Sequence, residues 1–126
     1  MRGKERLIAR LGAHTGITRL LEALPTRPSL LILNYHRIGN AQETPYDSDV
    51  FSCTAAEFDW QVDSLKRRFD IVDLGRALDI IHGRAEPSET SVLLTFDDGY
   101  RDNFEQAFPI LRAHGVSATF FRFFSE

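Results

Sequence analysis

Nine residues near the C-terminal end, VLLTFDDGY from Val92 to Tyr100, constrain the fold more than any other stretch. Val92, Leu93, Leu94 and Phe96 form a nearly continuous apolar run, the pattern of a strand buried on both faces of a parallel sheet. Asp97 and Asp98 follow at once, and Gly99 then permits a sharp turn because it lacks a Cβ. Neighbouring side chains on a strand point to opposite faces, so both carboxylates can serve one site only where the strand ends and the backbone bends. Carboxyl ends of strands are where α/β folds collect their chemistry. Two carboxylates held together there repel unless a cation or a shared proton relieves them. A hard metal ion or a proton-transfer role is therefore the first functional expectation, beside the plainer one that Asp-Gly is a common turn.

The rest of the chain supplies a frame for that strand. Leu7, Ile8, Leu11, Ile17, Leu20, Leu21 and Leu24 recur at helical spacing among basic residues, which predicts an amphipathic basic helix over residues 3–24, or two short ones broken near Gly12 and Gly16. Such a segment can make peripheral contact with an anionic membrane surface, although packing against the domain is the commoner outcome. Pro25 and Pro28 end it, so residues 1–28 are set apart from a domain over 29–126. Leu30 to Asn34 reads as a second buried strand, delivering Tyr35 and His36 to its end. Residues 37–52 form a long polar loop of the kind that builds a groove wall. Thr54 and Glu57 fit a capping box ahead of a helix whose apolar face is Phe58, Val62, Leu65 and Phe69. Trp60 on that helix fits packing better than sugar stacking. A short strand at Ile71–Leu74 and a helix closed by Gly83 follow. After the acidic tip comes a helix from about Asn103 to His114, with Pro109 inside it and Gly115 at its C′ position. Ser117–Phe121 closes a βαβ unit. Strands alternating with helices predict an α/β parallel sheet or barrel.

Composition narrows the function classes. The 126 residues carry 43% apolar side chains, enough for one domain with a core, and a net charge of −3. Six of the 15 basic residues fall in residues 1–28, and no nucleic-acid footprint emerges. Cys53 is the lone cysteine and reads as a small buried residue. No signal peptide or membrane-spanning run is evident, so a cytoplasmic location is expected. His82 and His114 each stand directly before a glycine and read as helix ends.

The stretch TFDDGYRDNFEQAFPILRAHGVSATFF, Thr95 to Phe121, resembles the first signature motif of the polysaccharide deacetylase family, the NodB-type carbohydrate esterases, with its following helix and strand. LLILNYHRIG, Leu30 to Gly39, is similar to that family's opening strand and Tyr-His. The spacing differs from haloacid dehalogenases, which set their carboxylates two apart. Receiver domains also carry an adjacent acidic pair, after their first strand, but here the pair lies too near the C-terminus to leave room for their later phospho-acceptor strand. The resemblance implies the N-terminal part of a deformed (β/α) barrel, incomplete in this chain. It implies a hydrolase that removes N-acetyl groups from a polysaccharide or glycan. Asp97 would be the general base and Asp98 a ligand of a divalent metal, usually zinc. His36, Tyr35 and Tyr100 would contact substrate or support the site. The family's later His-x-x-x-His metal motif is not matched by His14, His36, His82 or His114, so the isolated chain is expected to release no acetate. The alternative is a non-catalytic remnant, a carbohydrate-binding or interaction fragment of the same fold. Four strands are counted, the last ending in Phe120, Phe121, Phe123 and Phe124, and an uncovered final strand implies self-association.

Overall fold

The computed structural model describes residues 6–10, 27–97 and 99–122. Its centre is β6, Ser91–Phe96, in which all six residues are buried. Apolar side chains on both faces of one strand require cover on both sides, and the fold supplies it. β2 (Leu30–Tyr35) pairs with β6 in parallel, setting Leu30 opposite Ser91, Asn34 opposite Thr95 and Tyr35 opposite Phe96. The other edge of β6 is shared. β5 (Asp70–Val72) runs along its first half and β7 (Thr119–Phe120) along its last two residues, both parallel. β3 (Arg37–Ile38) and β4 (Phe51–Cys53) make a separate parallel pair. With an outer strand on β2, the main sheet is five-stranded, open and parallel throughout among the described residues, as the α/β expectation requires.

The outer strand on the β2 side overturns one expectation. Arg6–Arg10 is not helical: it forms β1, paired in parallel with β2 from Arg6 opposite Leu30 to Arg10 opposite Asn34. The physical reason is competition for backbone hydrogen bonds. A short helix between glycines has a costly nucleus, whereas the free edge of β2 offers a ready row of donors and acceptors. Leu7 and Ile8 suit a strand as well as a helix. The remaining expectation for residues 3–24, and with it the membrane contact, lies outside the described residues. The count of four strands is likewise too low.

Helix α1, Ala55–Arg68, begins as its sequence predicts: the Thr54 side chain accepts from the Glu57 amide and the Glu57 side chain accepts from the Thr54 amide. A cap of this kind stabilises a helix by about 1 kcal/mol. Phe58, Val62 and Leu65 are buried along one face, and Phe69 packs against the same cluster. Asp73 caps α2, Leu74–Ile81, which ends at His82. The last helical stretch is a π-helix over Asn103–Ala107 running into α3, Phe108–His114. Pro109 explains the change of winding. Its ring has no N–H to donate and would collide with the carbonyl four residues back, and wider π winding relieves both problems. Gly115 ends the helix in the left-handed region, φ 68°. The Lys66 ammonium donates to the His114 carbonyl, 2.7 Å away, tying the end of α3 to α1.

Two apolar clusters flank the sheet. The larger unites Leu31, Leu33, Tyr35, Val92, Leu94 and Phe96 with Phe58, Val62 and Leu65 of α1 and Leu111 of α3. The smaller gathers Leu30, Leu93 and Val72 around Ala77 and Ile80 of α2. Odd-numbered β2 residues face the first, and the parallel register puts the even-numbered residues of β6 with them.

Candidate active site

The same alternation builds the site. Asn34 and His36 follow Ile32 on one side of the chain, and Thr95 and Asp97 lie beside them in register. The four polar side chains therefore meet beyond the apolar part of the β2–β6 pair. The Asn34 amide donates from Nδ2 to Asp97 Oδ2 at 3.0 Å. The Thr95 hydroxyl lies 3.0 Å from Asn34 Oδ1 and 3.1 Å from the Leu33 carbonyl. His36 Nε2 approaches the same Asp97 oxygen, 3.6 Å away, with side-chain exposures of 20% for His36 and 36% for Asp97. The Asp97 backbone amide donates to the Tyr35 carbonyl at 3.0 Å, which holds the first residue past β6 against β2. Gly99 then turns with φ 62°. Asp97 and His36 are thus brought together at the strand tips. Asp98 lies outside the described residues.

Of the two roles expected of Tyr35, contact with substrate or support of the site, the structure contradicts the first. Its ring is fully buried on the opposite face, stacked on Phe96 at 5.3 Å and edge-on to Phe58 at 5.0 Å. Its hydroxyl donates to Gln61 Oε1 at 2.7 Å. Burial, with a smaller contribution from Cys53, pushes the Tyr35 phenol well above its ordinary range. Strand alternation is the reason: a residue between two site-facing neighbours points into the core. Cys53 is buried beside Gln61, and its thiol is pushed up to about 12 by burial and then by Glu57. Tyr100 is half-buried, and its hydroxyl donates to Asp47 Oδ2 at 3.2 Å.

A clamp that the sequence did not single out secures the wall beside the tip. The Arg37 guanidinium lies over Phe51 at 4.3 Å and over Tyr100 at 4.9 Å. It donates to Asp102 Oδ2 from Nε at 2.9 Å, and a second nitrogen lies 2.8 Å from the same oxygen. It also donates to the Tyr46 carbonyl at 2.6 Å, while the Ile38 amide donates to Asp102 Oδ1 at 3.1 Å. The His36 amide donates to Ser52 Oγ at 2.9 Å. The long loop is therefore pinned at both ends to the strand tip and to the start of the π-helix. Beside the tip, Gly99, Tyr100, Asn103, Phe104, Phe108 and Phe120 line a mainly apolar groove of about 390 Å³. Trp60 is exposed on α1, and His114 pairs with Asp59 at 2.8 Å. The sequence reading does not reach Asn34, Thr95, Arg37 or Asp102 as site residues. The available signal for the first two is a pair of polar residues at i and i+2 near the ends of two strands, which alternation places on one face.

Among the described residues no group of three His, Cys, Asp or Glu side chains is placed to hold a metal ion. The described donor set does not fit a closed divalent-metal site.

The fold and the strand-tip aspartate define a class, and comparison with known proteins agrees. Residues 84–123 match the polysaccharide deacetylase family model. YxkH of Bacillus subtilis (strain 168), named for polysaccharide deacetylase, is 56% identical over 36 residues, which are 29% of this chain and 13% of that protein. IcaB from Ammonifex degensii superposes with a TM-score of 0.64 and 30% identity, covering 74% of this chain and 37% of its own. The Streptococcus pyogenes deacetylase PplD, solved with acetate, gives 0.59 and 25%, covering 75% of this chain and 41% of its own. A de-N-acetylase from Aggregatibacter actinomycetemcomitans gives 0.54 and 27%, with 72% and 36% covered. Together these show that the chain is similar to polysaccharide deacetylases and consistent with part of a NodB-type domain. The chain spans about two fifths of the length of the structural relatives it matches.

Proposed function

We propose that this chain provides the general-base half of a hydrolase that removes N-acetyl groups from a polysaccharide or glycan. The observation that carries the reading is the half-exposed Asp97 carboxylate at the end of β6, met by His36 and Asn34, within the stretch that matches the family model. Asp97 takes the proton of water as that water attacks the acetamide carbon, and the C–N bond breaks as that proton passes on to the leaving amine nitrogen. Geometry comes first for such a base, and a half-exposed carboxylate at a strand tip can reach a bound water. His36, beside the same carboxylate, holds a hydrogen-bonding position toward the substrate. Tyr100 and the Arg37 clamp form the adjoining wall. Asp98 is the position that the resemblance marks for a divalent metal, zinc by family habit. The described residues do not complete its ligand set; of this chain's own residues, Asp97 carries the proposed proton transfer. The proposed partner is the N-acetylated glycan. Self-association through exposed Phe104, Phe108, Phe120 and Phe121 is a further proposal, read by sedimentation of the purified chain. Among the described residues no helix is long and apolar enough to cross a membrane.

The decisive experiment grafts residues 29–122 into the matching segment of Ammonifex degensii IcaB and measures acetate release from N-acetylated oligosaccharides. The Asp97→Asn chimera is expected to keep binding the oligosaccharide and to lose about 10²–10⁴-fold in turnover. A folded, active chimera indifferent to that substitution would overturn the assignment.

A further inference from the structure

The Asp97 carboxylate is not symmetrically placed. Asn34 Nδ2 bonds to Oδ2, and His36 Nε2 approaches Oδ2 as well. Among the described residues, no hydrogen bond reaches Oδ1 of this half-exposed side chain. One oxygen is therefore held by the protein, and the other takes no hydrogen bond from the described residues. From this geometry we infer that Asn34 and Thr95 are positioning residues that select Oδ1 as the proton-accepting atom of Asp97.

The selection works because Asn34 can face only one way. Its amide has a donor end and an acceptor end, and the two ends meet different partners. The donor end meets a carboxylate oxygen at 3.0 Å, and the acceptor end meets the Thr95 hydroxyl at 3.0 Å. Turning the amide over would set its carbonyl oxygen against the Asp97 carboxylate, acceptor against acceptor. The Thr95 side chain is itself buried, and the Leu33 carbonyl offers its hydroxyl a second acceptor at 3.1 Å, so the hydroxyl is held in place whichever oxygen takes its one proton. The register of β2 against β6, Asn34 opposite Thr95, fixes this arrangement in the backbone. Strand geometry thereby reaches the carboxylate through two side chains. A carboxylate fastened at one oxygen loses rotational freedom, and the lone pairs of its other oxygen keep a fixed direction. Orientation of a reacting group is worth large rate factors.

The role rests on Asp97 being the base, and the test separates the two ideas. In the 126-residue chain the side-chain amide protons of Asn34 are followed by NMR exchange against exposed amides such as Gln42. The amide proton bonded to Asp97 is expected to exchange at least roughly tenfold more slowly, a hydrogen bond to a charged group being worth that much. Asp97→Ala removes the protection. Thr95→Val lowers it, whereas Thr95→Ser retains it. A packing role for Thr95 predicts the reverse, because valine keeps the volume and serine loses a methyl group. Asn34 exchanging like Gln42 in the unsubstituted chain, or Thr95→Val matching the parent while Thr95→Ser does not, overturns the inference. In the active chimera, Asn34→Leu should lower kcat with KM within about twofold, the signature of an interaction made in the transition state. A chimera without turnover tells against the deacetylase reading, and the exchange result still decides the role of Asn34.

Discussion

Asn34 and Tyr35 are neighbours in the chain and occupy opposite environments. Across the strand, Thr95 and Phe96 repeat the contrast. On one side of the β2–β6 pair, Asn34, His36, Thr95 and Asp97 form a polar, partly exposed cluster. On the other, Tyr35, Phe96, Phe58 and Phe120 pack ring against ring, stacked or edge-on, with centroids 4.8–5.6 Å apart. The same two strands thus carry a site on one face and its foundation on the other. The lesson is that stability and chemistry are separable here residue by residue, although the residues alternate.

The most direct attempt to break that division is Phe96→Ala. It deletes a buried ring in contact with three others and should cost about 3–5 kcal/mol. Denaturant melts should then show a chain near or past the edge of folding. Asp97→Ala, one residue on, should shift the same melt by less than about 1 kcal/mol, because its side chain is half-exposed. Equal losses from the two substitutions would end the separation of faces. A finer probe is Tyr35→Phe, which removes the donor to Gln61 and leaves that buried carbonyl oxygen with only the weak Cys53 thiol, 4.0 Å away, at about 1–3 kcal/mol. Gln61 Nε2 already has no partner among the described residues. Replacing both residues, Tyr35→Phe with Gln61→Met, should therefore recover most of the loss in a double-mutant cycle.

Alkali supplies the smallest and most selective perturbation. The Cys53 thiol is raised from 9.0 to about 12 and the Tyr35 phenol is raised as well. Below pH 9 both groups are protonated in folded and unfolded chains alike, so they leave stability unchanged. Above it the unfolded chain releases the thiol proton while the folded chain retains it, and stability falls with rising pH. The slope from the thiol is at most about 1.4 kcal/mol per pH unit. Cys53→Ala should flatten the thermal-melt profile between pH 9 and pH 10. An unchanged slope would place the alkaline sensitivity elsewhere.

What the sequence reveals and what it hides divide along the range of the interactions involved. The β6 strand, the Thr54–Glu57 capping box, the α1 face and the Gly115 helix end are written within a few residues of one another, and each is legible. β1 is not, because its partner β2 lies about 24 residues further on and a helical apolar period fits the same residues. Nearness to His36 suggests a site role for Tyr35, whereas alternation turns it into the core. The Asn34–Thr95 pair depends on a register between residues 61 apart, and a local pattern does not announce that register. The family resemblance marks Asp97 and His36 at both ends of that register at once, and the structure sets their side chains 3.6 Å apart.

Gly99 illustrates how such a tip resists drift. A Cβ built on it would lie 2.7 Å from Arg122 Cγ and 2.9 Å from Arg122 Nε, and its φ of 62° is one that side chains rarely adopt. Position 99 is therefore locked twice, by its own backbone and by the arm of a residue 23 places later. Shortening Arg122 opens only the second lock. A lineage in which Arg122 shrank first would still find alanine strained at 99, so neither order of change gives a neutral path away from glycine. The two positions are unequal: the strain at 99 stays whatever stands at 122.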